Sequence, residues 1–294
     1  MISIIIILKN DRRIEKLLYE LKSISKPTRT EVVVVDASEG KLNDIKVKFR
    51  YARWIYFDNS LKKKYSYSEQ RNIGIRAAEG NIIVFIDSDC TLTHNWLVEL
   101  LKPFEDKEQV VSGIVKSPKG KSIYDRQWDS RKNKYIYECG AVNLALTRSV
   151  INKVGFFDEN LEAGEDLDYC WRIIDNGFRI KNNQNAIVYH DWGNLRNDIV
   201  RAFQYGKAKT RLYRKHFLHR WKNLFGRDKA LVIYPTFILF LPLTYFFHFY
   251  PLLILIPILI NFKKYPIKNT LLALVKAAGI LKELFYPSKY SKLF

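Results

Sequence analysis

Cysteine is scarce. The 294 residues contain three, Cys90, Cys139 and Cys170, an odd number at no metal-ligand spacing, which excludes a disulfide-stapled scaffold and argues against a cysteine-based zinc site. Glycine (13) and proline (9) are few while 48% of residues are hydrophobic, so collagen-like and wholly disordered chains are excluded as well. Acids are outnumbered, 30 Asp and Glu against 49 Lys and Arg, for a net charge of +19. The first eight residues lack the basic start and small-residue cleavage site of a signal peptide. Their apolar run is too short to span a bilayer. The expectation is that the bulk of the chain lies in a reducing cytosol.

A charge of +19 calls for an anionic partner or a highly charged solvated surface. Nucleic acid, anionic lipid and phosphorylated substrates all qualify, and position separates them. Residues 196–229 hold eleven Lys and Arg against only Asp198 and Asp228, and residues 230–262 then hold no Asp, Glu, Lys or Arg. A basic block beside a long apolar run is the pattern of a protein meeting an anionic cytoplasmic leaflet. The expected partner is therefore an anionic membrane surface and not nucleic acid; a solvated basic helix is the other reading.

The first part of the chain alternates between strand and helix patterns. Ile2–Leu8 is a continuous apolar run, as in a strand buried on both faces. A helix is expected from about Asp11, with Ile14, Leu17, Leu18 and Leu21 on one face. Residues 31–36, 54–57 and 81–87 read as further strands, with a helix between the last two capped by Ser68 and closed by Gly80. This order predicts an α/β domain with a largely parallel sheet, in which ligands gather at the carboxyl ends of the strands. Asp36 and Asp87 both fall at such ends. Further on, residues 110–115 and 186–190 read as strands and 147–154 as a short helix. Leu167, Cys170, Trp171 and Ile174 form one apolar face of a helix opened by Glu165-Asp166.

The apolar tail, residues 230–262, spans 33 residues, too few for two full crossings of about 20 each. Pro235, Pro242, Pro251 and Pro257 break any helix there. Lys229 on one side and Lys263, Lys264 and Lys268 on the other keep both ends cytoplasmic, which predicts a kinked hairpin or re-entrant pair. A soluble core helix is the alternative. The segment after Asn269 is amphipathic and is expected to lie in the interface.

Asp87-Ser88-Asp89 directly follows an apolar strand. Residues i and i+2 on extended backbone project to one side, so the two carboxylates are able to converge on a hard cation, Mn²⁺ or Mg²⁺. Such a cation neutralises a diphosphate leaving group. Arg71 offers a planar fork for a donor phosphate; a solvated helix residue is the alternative. For Glu165-Asp166 the plain alternative to catalysis is helix N-terminal chemistry, where acids offset the dipole. Trp96, Trp128, Trp171 and Trp192 are expected to fill core, with stacking on a sugar or base as the alternative, and the three cysteines to be small buried residues.

Together these segments resemble family 2 glycosyltransferases. The resemblance rests on Asp36 after a buried strand and on Gln70-Arg71-Asn72-Ile73-Gly74, leading through Ala77-Ala78-Glu79-Gly80 into residues 82–89. It rests also on Gly164-Glu165-Asp166-Leu167-Asp168 and on residues 139–148 followed by 155–159. It covers residues 1–195 and implies a GT-A (Rossmann-like) nucleotide-sugar-binding domain acting with inversion. It implies that Asp36 bonds the donor nucleobase and that Asp87, Ser88 and Asp89 flank the metal and diphosphate. It also implies that Asp166, paired with Glu165, is the general base, and that His190 stands against the metal or diphosphate. Imidazole suits Mn²⁺ better than Mg²⁺; a pairing of His190 with Asp191 is the alternative.

The chain departs from the family where Ile7-Leu8-Lys9-Asn10 replaces Pro-Thr-Tyr-Asn, and it lacks the Gln-x-x-Arg-Trp motif of processive synthases. The expectation is a catalytic domain over 1–195 on the cytoplasmic face, a basic connector over 196–229, and membrane-embedded or interfacial helices over 230–294. Such an enzyme transfers one sugar from a nucleotide-sugar to a lipid-linked or glycan acceptor near the membrane. A polyprenyl-phosphate sugar synthase and a non-catalytic GT-A-like adaptor are the alternatives.

Overall fold

The computed structural model describes residues 1–24, 29–58, 66–118, 134–161, 163–226, 228–256 and 266–287. Trp128, Arg227, Pro257, Lys263 and Lys264 lie outside the described residues. The chain divides into two compact units, Met1–Asp191 and Trp192–Phe294.

In the first unit the elements run β1 (Ile2–Leu8), α1 (Ile14–Ser23), β2 (Thr30–Asp36), α2 (Asn43–Lys48), β3 (Arg53–Tyr56), α3 (Tyr67–Ala77), β4 (Ile82–Asp87), β5 (Cys90–Leu92) and α4 (Trp96–Leu101). They continue through β6 (Val110–Lys116), β7 (Tyr135–Ile136), β8 (Leu144–Thr147), α5 (Arg148–Val154), α6 (Glu165–Asp175) and β9 (Ile180–His190). One mixed sheet has the order β3-β2-β1-β4-β8-β6-β9-β5, with β7 paired to β9. The block β3-β2-β1-β4 is parallel throughout, while β8 joins antiparallel to both β4 and β6.

The apolar strands are buried as their composition demands. All seven residues of β1 are buried, and full burial of each isoleucine contributes about 1.5–3 kcal/mol. Ile5 and Ile7 pack with Ile75 of α3, Phe85 of β4 and Tyr169, Cys170 and Ile173 of α6 in one core. Phe157 stacks on Tyr169, ring centroids 4.2 Å apart, and meets Phe85 edge-on. Trp96 and Trp171 are core residues and the three cysteines are buried outside any disulfide, as expected, whereas Trp192 is only half-buried.

Several local expectations need correction. α1 begins at Ile14, leaving Asp11 in the preceding turn. The cap of α3 is Ser66, whose hydroxyl accepts from the Glu69 N–H at 3.2 Å; Ser68 is buried within the first turn. In α6, Leu167 and Ile174 are only half-buried while Tyr169 and Ile173 are fully buried, because the helix is enclosed on more than one side. The strand ending at His190 starts six residues earlier than its apolar pattern, at Ile180.

Asn143 ties the sheet's mixed half together. Its side chain donates to the carbonyls of Ile114 (3.0 Å) and Ala186 (2.8 Å) and accepts from the Trp96 indole N–H at 2.7 Å. Its backbone is left-handed, φ 64°, which asparagine tolerates better than most residues. Asn143→Ala leaves three buried polar groups unpaired and strains the backbone. It is expected to cost about 3 kcal/mol or more, read as a lower urea midpoint at unchanged slope.

The second unit carries α7 (Leu195–Lys215), α8 (Phe217–Phe225), α9 (Ala230–Leu239), two 3₁₀ turns (Leu241–Tyr245 and Tyr250–Ile254) and α10 (Pro266–Phe285). Among the described residues no helix is long and apolar enough to cross a membrane. The prolines account for this: Pro235 sits inside α9, which ends four residues later, and Pro242 and Pro251 stand in the first turns of the two 3₁₀ segments. α10 is amphipathic, but its buried face, with Leu272, Ala277 and Ile280, packs on α7. The expected interfacial helix thus buries one side in protein.

Candidate active site

The carboxyl edge of the parallel block gathers the acidic side chains. In the β1 register Leu8 pairs with Asp36 and Ile7 with Asp87. The two aspartates therefore leave β2 and β4 on either side of β1 at one sheet edge, about 10 Å apart across two strand spacings. After Asp87 the chain turns at Ser88-Asp89 and returns as β5, which pairs with β9 so that Cys90 faces His190. This pairing, more than extended backbone, brings Asp89 to His190.

One ligand atom from each of Asp87, Asp89 and His190 lies within 4.8 Å of the others. His190 Nε2 is 3.2 Å from Asp89 Oδ1 and 4.0 Å from Asp87 Oδ2. The remaining oxygens face arginines: Asp87 Oδ1 is 3.6 Å from Arg71 Nη2, and Asp89 Oδ2 is 3.4 Å from Arg13 Nη2. Each carboxylate thus offers one oxygen to the shared centre and one to a guanidinium. Burial raises the Asp89 carboxyl above the usual carboxylate range and Asp87 adds to this, with His190 and Arg13 opposing. Two carboxylate oxygens and one imidazole nitrogen form a donor set that fits a divalent cation such as Mn²⁺.

Arg71 is buried, which settles against the solvated reading. Its Nη1 donates to Glu165 Oε1 at 2.6 Å. Burial works to lower the Arg71 guanidinium, and the charges of Glu165, Asp87 and Asp166 more than reverse it. Glu165 and Asp166 open α6 after Gly164, whose φ of 81° favours glycine. Asp166 Oδ1 accepts from the Leu167 N–H at 2.8 Å. Burial, then the charge of Glu165, pushes the Asp166 carboxyl up to about 7, against the pull of Arg71. Next to Arg71, the Asn72 amide donates to Phe157 O and Glu159 Oε1, both at 2.9 Å, and accepts from the Phe157 N–H. The motif on α3 and the segment 155–159 are therefore one bonded piece.

Asp36 is buried and its Oδ1 accepts from the Ser38 N–H at 2.8 Å, while the Ser38 hydroxyl accepts from the Asn10 N–H at 2.7 Å. The altered first loop is thus tied to Asp36. Ser88 is buried and donates to Asp11 Oδ2 at 3.1 Å.

Three residues at this edge were not singled out from sequence: Asp11, Arg13 and Tyr67. Arg13 clasps Asp11 through Nε and Nη2, both at 2.9 Å, and reaches Asp89. Burial works to raise Asp11, and the Arg13 fork and Ser88 hydroxyl more than reverse it. Burial, followed by the charges of Asp87 and Glu165, raises the Tyr67 phenol. For Asp11 and Arg13 the available signal was position, charged residues within five of the end of the buried strand β1; Tyr67 carried no such signal.

The family described as "Glycosyl transferase family 2" matches residues 3–160. The pre-mycofactocin glycosyltransferase of Mycobacterium tuberculosis is 30% identical over 162 residues, covering 50% of this chain and 34% of that protein. The chain therefore spans about a third of that relative's length. Glycosyltransferase AglE of Haloferax volcanii is 27% identical over 230 residues, covering 72% of this chain and 74% of AglE. Among solved structures, the mannosyltransferase PcManGT from Pyrobaculum calidifontis, in complex with GDP-Man and Mn²⁺, superposes with a TM-score of 0.73 at 17% identity. That superposition covers 98% of this chain and 88% of PcManGT. S. aureus TarS gives a TM-score of 0.54 at 18% identity over 76% of this chain and 45% of TarS. The fold is the α/β GT-A type, and with more than half of its length matched the chain belongs to glycosyl transferase family 2.

Proposed function

We propose that the protein transfers a single sugar, with inversion and with the help of a divalent metal ion, from a nucleotide-sugar donor to a lipid-linked or membrane-proximal acceptor. The observation that carries this reading is the convergence of Asp87, Asp89 and His190 at the sheet edge beside Arg71 and the Glu165-Asp166 pair. When bound, Mn²⁺ or Mg²⁺ held by these three residues supplies positive charge to the donor diphosphate. Asp87 and Asp89 each keep an oxygen for that ion, while Arg13 and Arg71 orient the other oxygens. Asp36 accepts a hydrogen bond from the nucleobase.

Asp166 takes the proton from the acceptor hydroxyl as the hydroxyl attacks the anomeric carbon opposite the departing diphosphate. A carboxyl near 7 is suited to this, because base strength and deprotonated fraction are then both high at neutral pH. Glu165 binds Arg71, so that Arg71 does not hold Asp166 as a fixed ion pair.

The second unit supports a site of action at an anionic, cytoplasmic leaflet. It holds 18 Lys and Arg against Asp198, Asp228 and Glu283, a net +15 of the chain's +19. Around the two 3₁₀ turns it exposes Tyr245, Phe246, Phe247, Phe249 and Leu252. Basic residues beside exposed aromatics suit a bilayer interface. In this reading residues 1–195 form the catalytic domain, 196–229 the basic connector and 230–294 the interfacial part. The basic second unit is equally what a polyprenyl-phosphate acceptor requires; the Asp166 carboxyl favours a hydroxyl acceptor.

A screen of nucleotide-sugars by thermal unfolding, with and without Mn²⁺, tests the proposal. One donor is expected to raise Tm only with the metal, adding about 2.7 kcal/mol at a hundredfold excess over Kd, and to be hydrolysed slowly. Absence of any metal-dependent shift or turnover across the screen would leave a non-catalytic GT-A-like adaptor.

A further inference from the structure

The second unit is organised around a close helix crossing. A Cβ on Gly206 of α7 would come 2.0 Å from the Lys276 carbonyl, and one on Gly279 of α10 would come 2.1 Å from that of Phe203. One turn beyond, Arg211 and Glu283 form a fully buried two-pronged pair, Nε to Oε1 at 3.1 Å and Nη2 to Oε2 at 3.3 Å. With α7 and α10 locked together, α8 and α9 fold beside them and leave a half-open cavity of about 500 Å³.

Its walls are apolar: Phe217, Leu224, Leu231, Val232, Ile280 and Leu284. Ile280 lies at the buried end, while Phe217 and Leu284 are about half exposed, at 53% and 47%. The polar residues of the lining bond into the framework. The Thr210 hydroxyl donates to Gly206 O, Tyr213 OH and Lys209 Nζ both reach Asp228 Oδ2, and Arg214 donates to the carbonyls of Glu283 and Leu284. Close-packed interiors hold only a few voids larger than a water molecule. A space of this size, lined mainly by apolar side chains with a few polar groups, has the character of a small-molecule site. Water finds few partners on such walls, so the complementary occupant is hydrocarbon. Asp228 meets the charge of Lys209 at 3.3 Å, so the cation that the lining offers is Arg214, in a unit of net +15, and the head of that occupant is anionic.

We propose that this cavity binds the chain of an amphiphilic phosphate, a prenyl or acyl phosphate, with the chain among Leu231, Val232, Ile280 and Leu284 and the phosphate on Arg214. The inference rests on the reading of a lipid-linked acceptor and gives that lipid a place in the second unit. Nothing in the family match, which ends at residue 160, assigns it.

Equilibrium binding to the full-length chain tests it, with farnesyl phosphate, farnesol and inorganic phosphate as probes and phosphatidylcholine–phosphatidylglycerol vesicles as a separate arm. Farnesyl phosphate is expected to bind saturably, one per chain and about tenfold or more tighter than farnesol, while inorganic phosphate alone shows no binding. Val232→Phe and Leu284→Trp fill the cavity from its half-exposed side. Both are expected to weaken farnesyl phosphate at least tenfold with unfolding temperature and vesicle binding unchanged. Arg214→Gln is expected to weaken farnesyl phosphate and leave farnesol unaffected.

Absence of saturable binding overturns the inference. So does binding that survives both cavity-filling variants, or that appears only when vesicles are present, since the probe then lies elsewhere or in the bilayer. Donor hydrolysis with Mn²⁺, measured on the same samples, separates the two claims. Hydrolysis without prenyl binding removes the cavity and keeps the enzyme. Prenyl binding that the variants abolish, without hydrolysis, keeps the cavity and removes the enzyme.

Discussion

Asp166→Asn is expected to lower kcat by about 10²–10⁴ while leaving the Kd for the donor within a few-fold of the parent. The substitution keeps size and the hydrogen bond from the Leu167 N–H but removes the only function a hydroxyl acceptor needs there, proton abstraction. If the acceptor is instead a phosphate, already ionised, the loss is only mild, so this variant separates the two acceptor classes.

The same residue sets the pH response. Burial and Glu165 place its carboxyl at about 7, and the base works deprotonated, so kcat/KM is expected to fall about tenfold per unit below pH 7 and to level off above it. Stability moves the opposite way. The folded value lies above the ordinary 3.8, so Asp166's contribution is complete below about pH 4 and is lost as pH rises through 7. Asp166→Asn removes the cost of a buried charge. Above pH 7 it is expected to unfold at a temperature no lower than the parent, a result that distinguishes a functional acid from a structural one.

Asp89→Ala is expected to abolish the metal dependence of turnover and to reduce the rate by about 10³ or more, the several kcal/mol that a bound cation contributes. Asp89 is the side chain within 3.2 Å of His190 Nε2 and 3.4 Å of Arg13 Nη2. Its loss removes one of three ligands and frees Arg13 to turn toward Asp11 alone. Excess Mn²⁺ is not expected to rescue it. His190→Ala is expected to be milder and to shift preference from Mn²⁺ toward Mg²⁺, because the remaining ligands are all oxygens.

What could be read from the sequence was whatever local pattern determines. Ile2–Leu8 and residues 31–36 and 81–87 are apolar runs of the kind that burial on both faces produces, and they became three adjacent strands of the parallel block. The order of strands alone places Asp36 and Asp87 at the ligand edge. The short strands β5, β7 and β8 are two to four residues long and carry no period to recognise. Their pairing, above all Cys90 opposite His190, delivers the third candidate ligand. Arg13's place near the end of β1 was legible, but its direction was not, because a turn through Asn10, at φ 55°, decides where it points. The Arg211–Glu283 pair joins residues 72 apart, which no charge pattern announces. The uncharged tail read as membrane-embedded; its prolines, which were legible, are what reduce the described part to α9 and two 3₁₀ turns.

The most direct test is Mn²⁺ binding itself, measured by electron paramagnetic resonance or calorimetry on the full chain with and without a nucleoside diphosphate. One ion per chain is predicted, held more tightly with the diphosphate present and lost in Asp89→Ala. No bound Mn²⁺ with the diphosphate present, or an ion retained undiminished in Asp89→Ala, would contradict a metal-assisted transferase built on Asp87, Asp89 and His190.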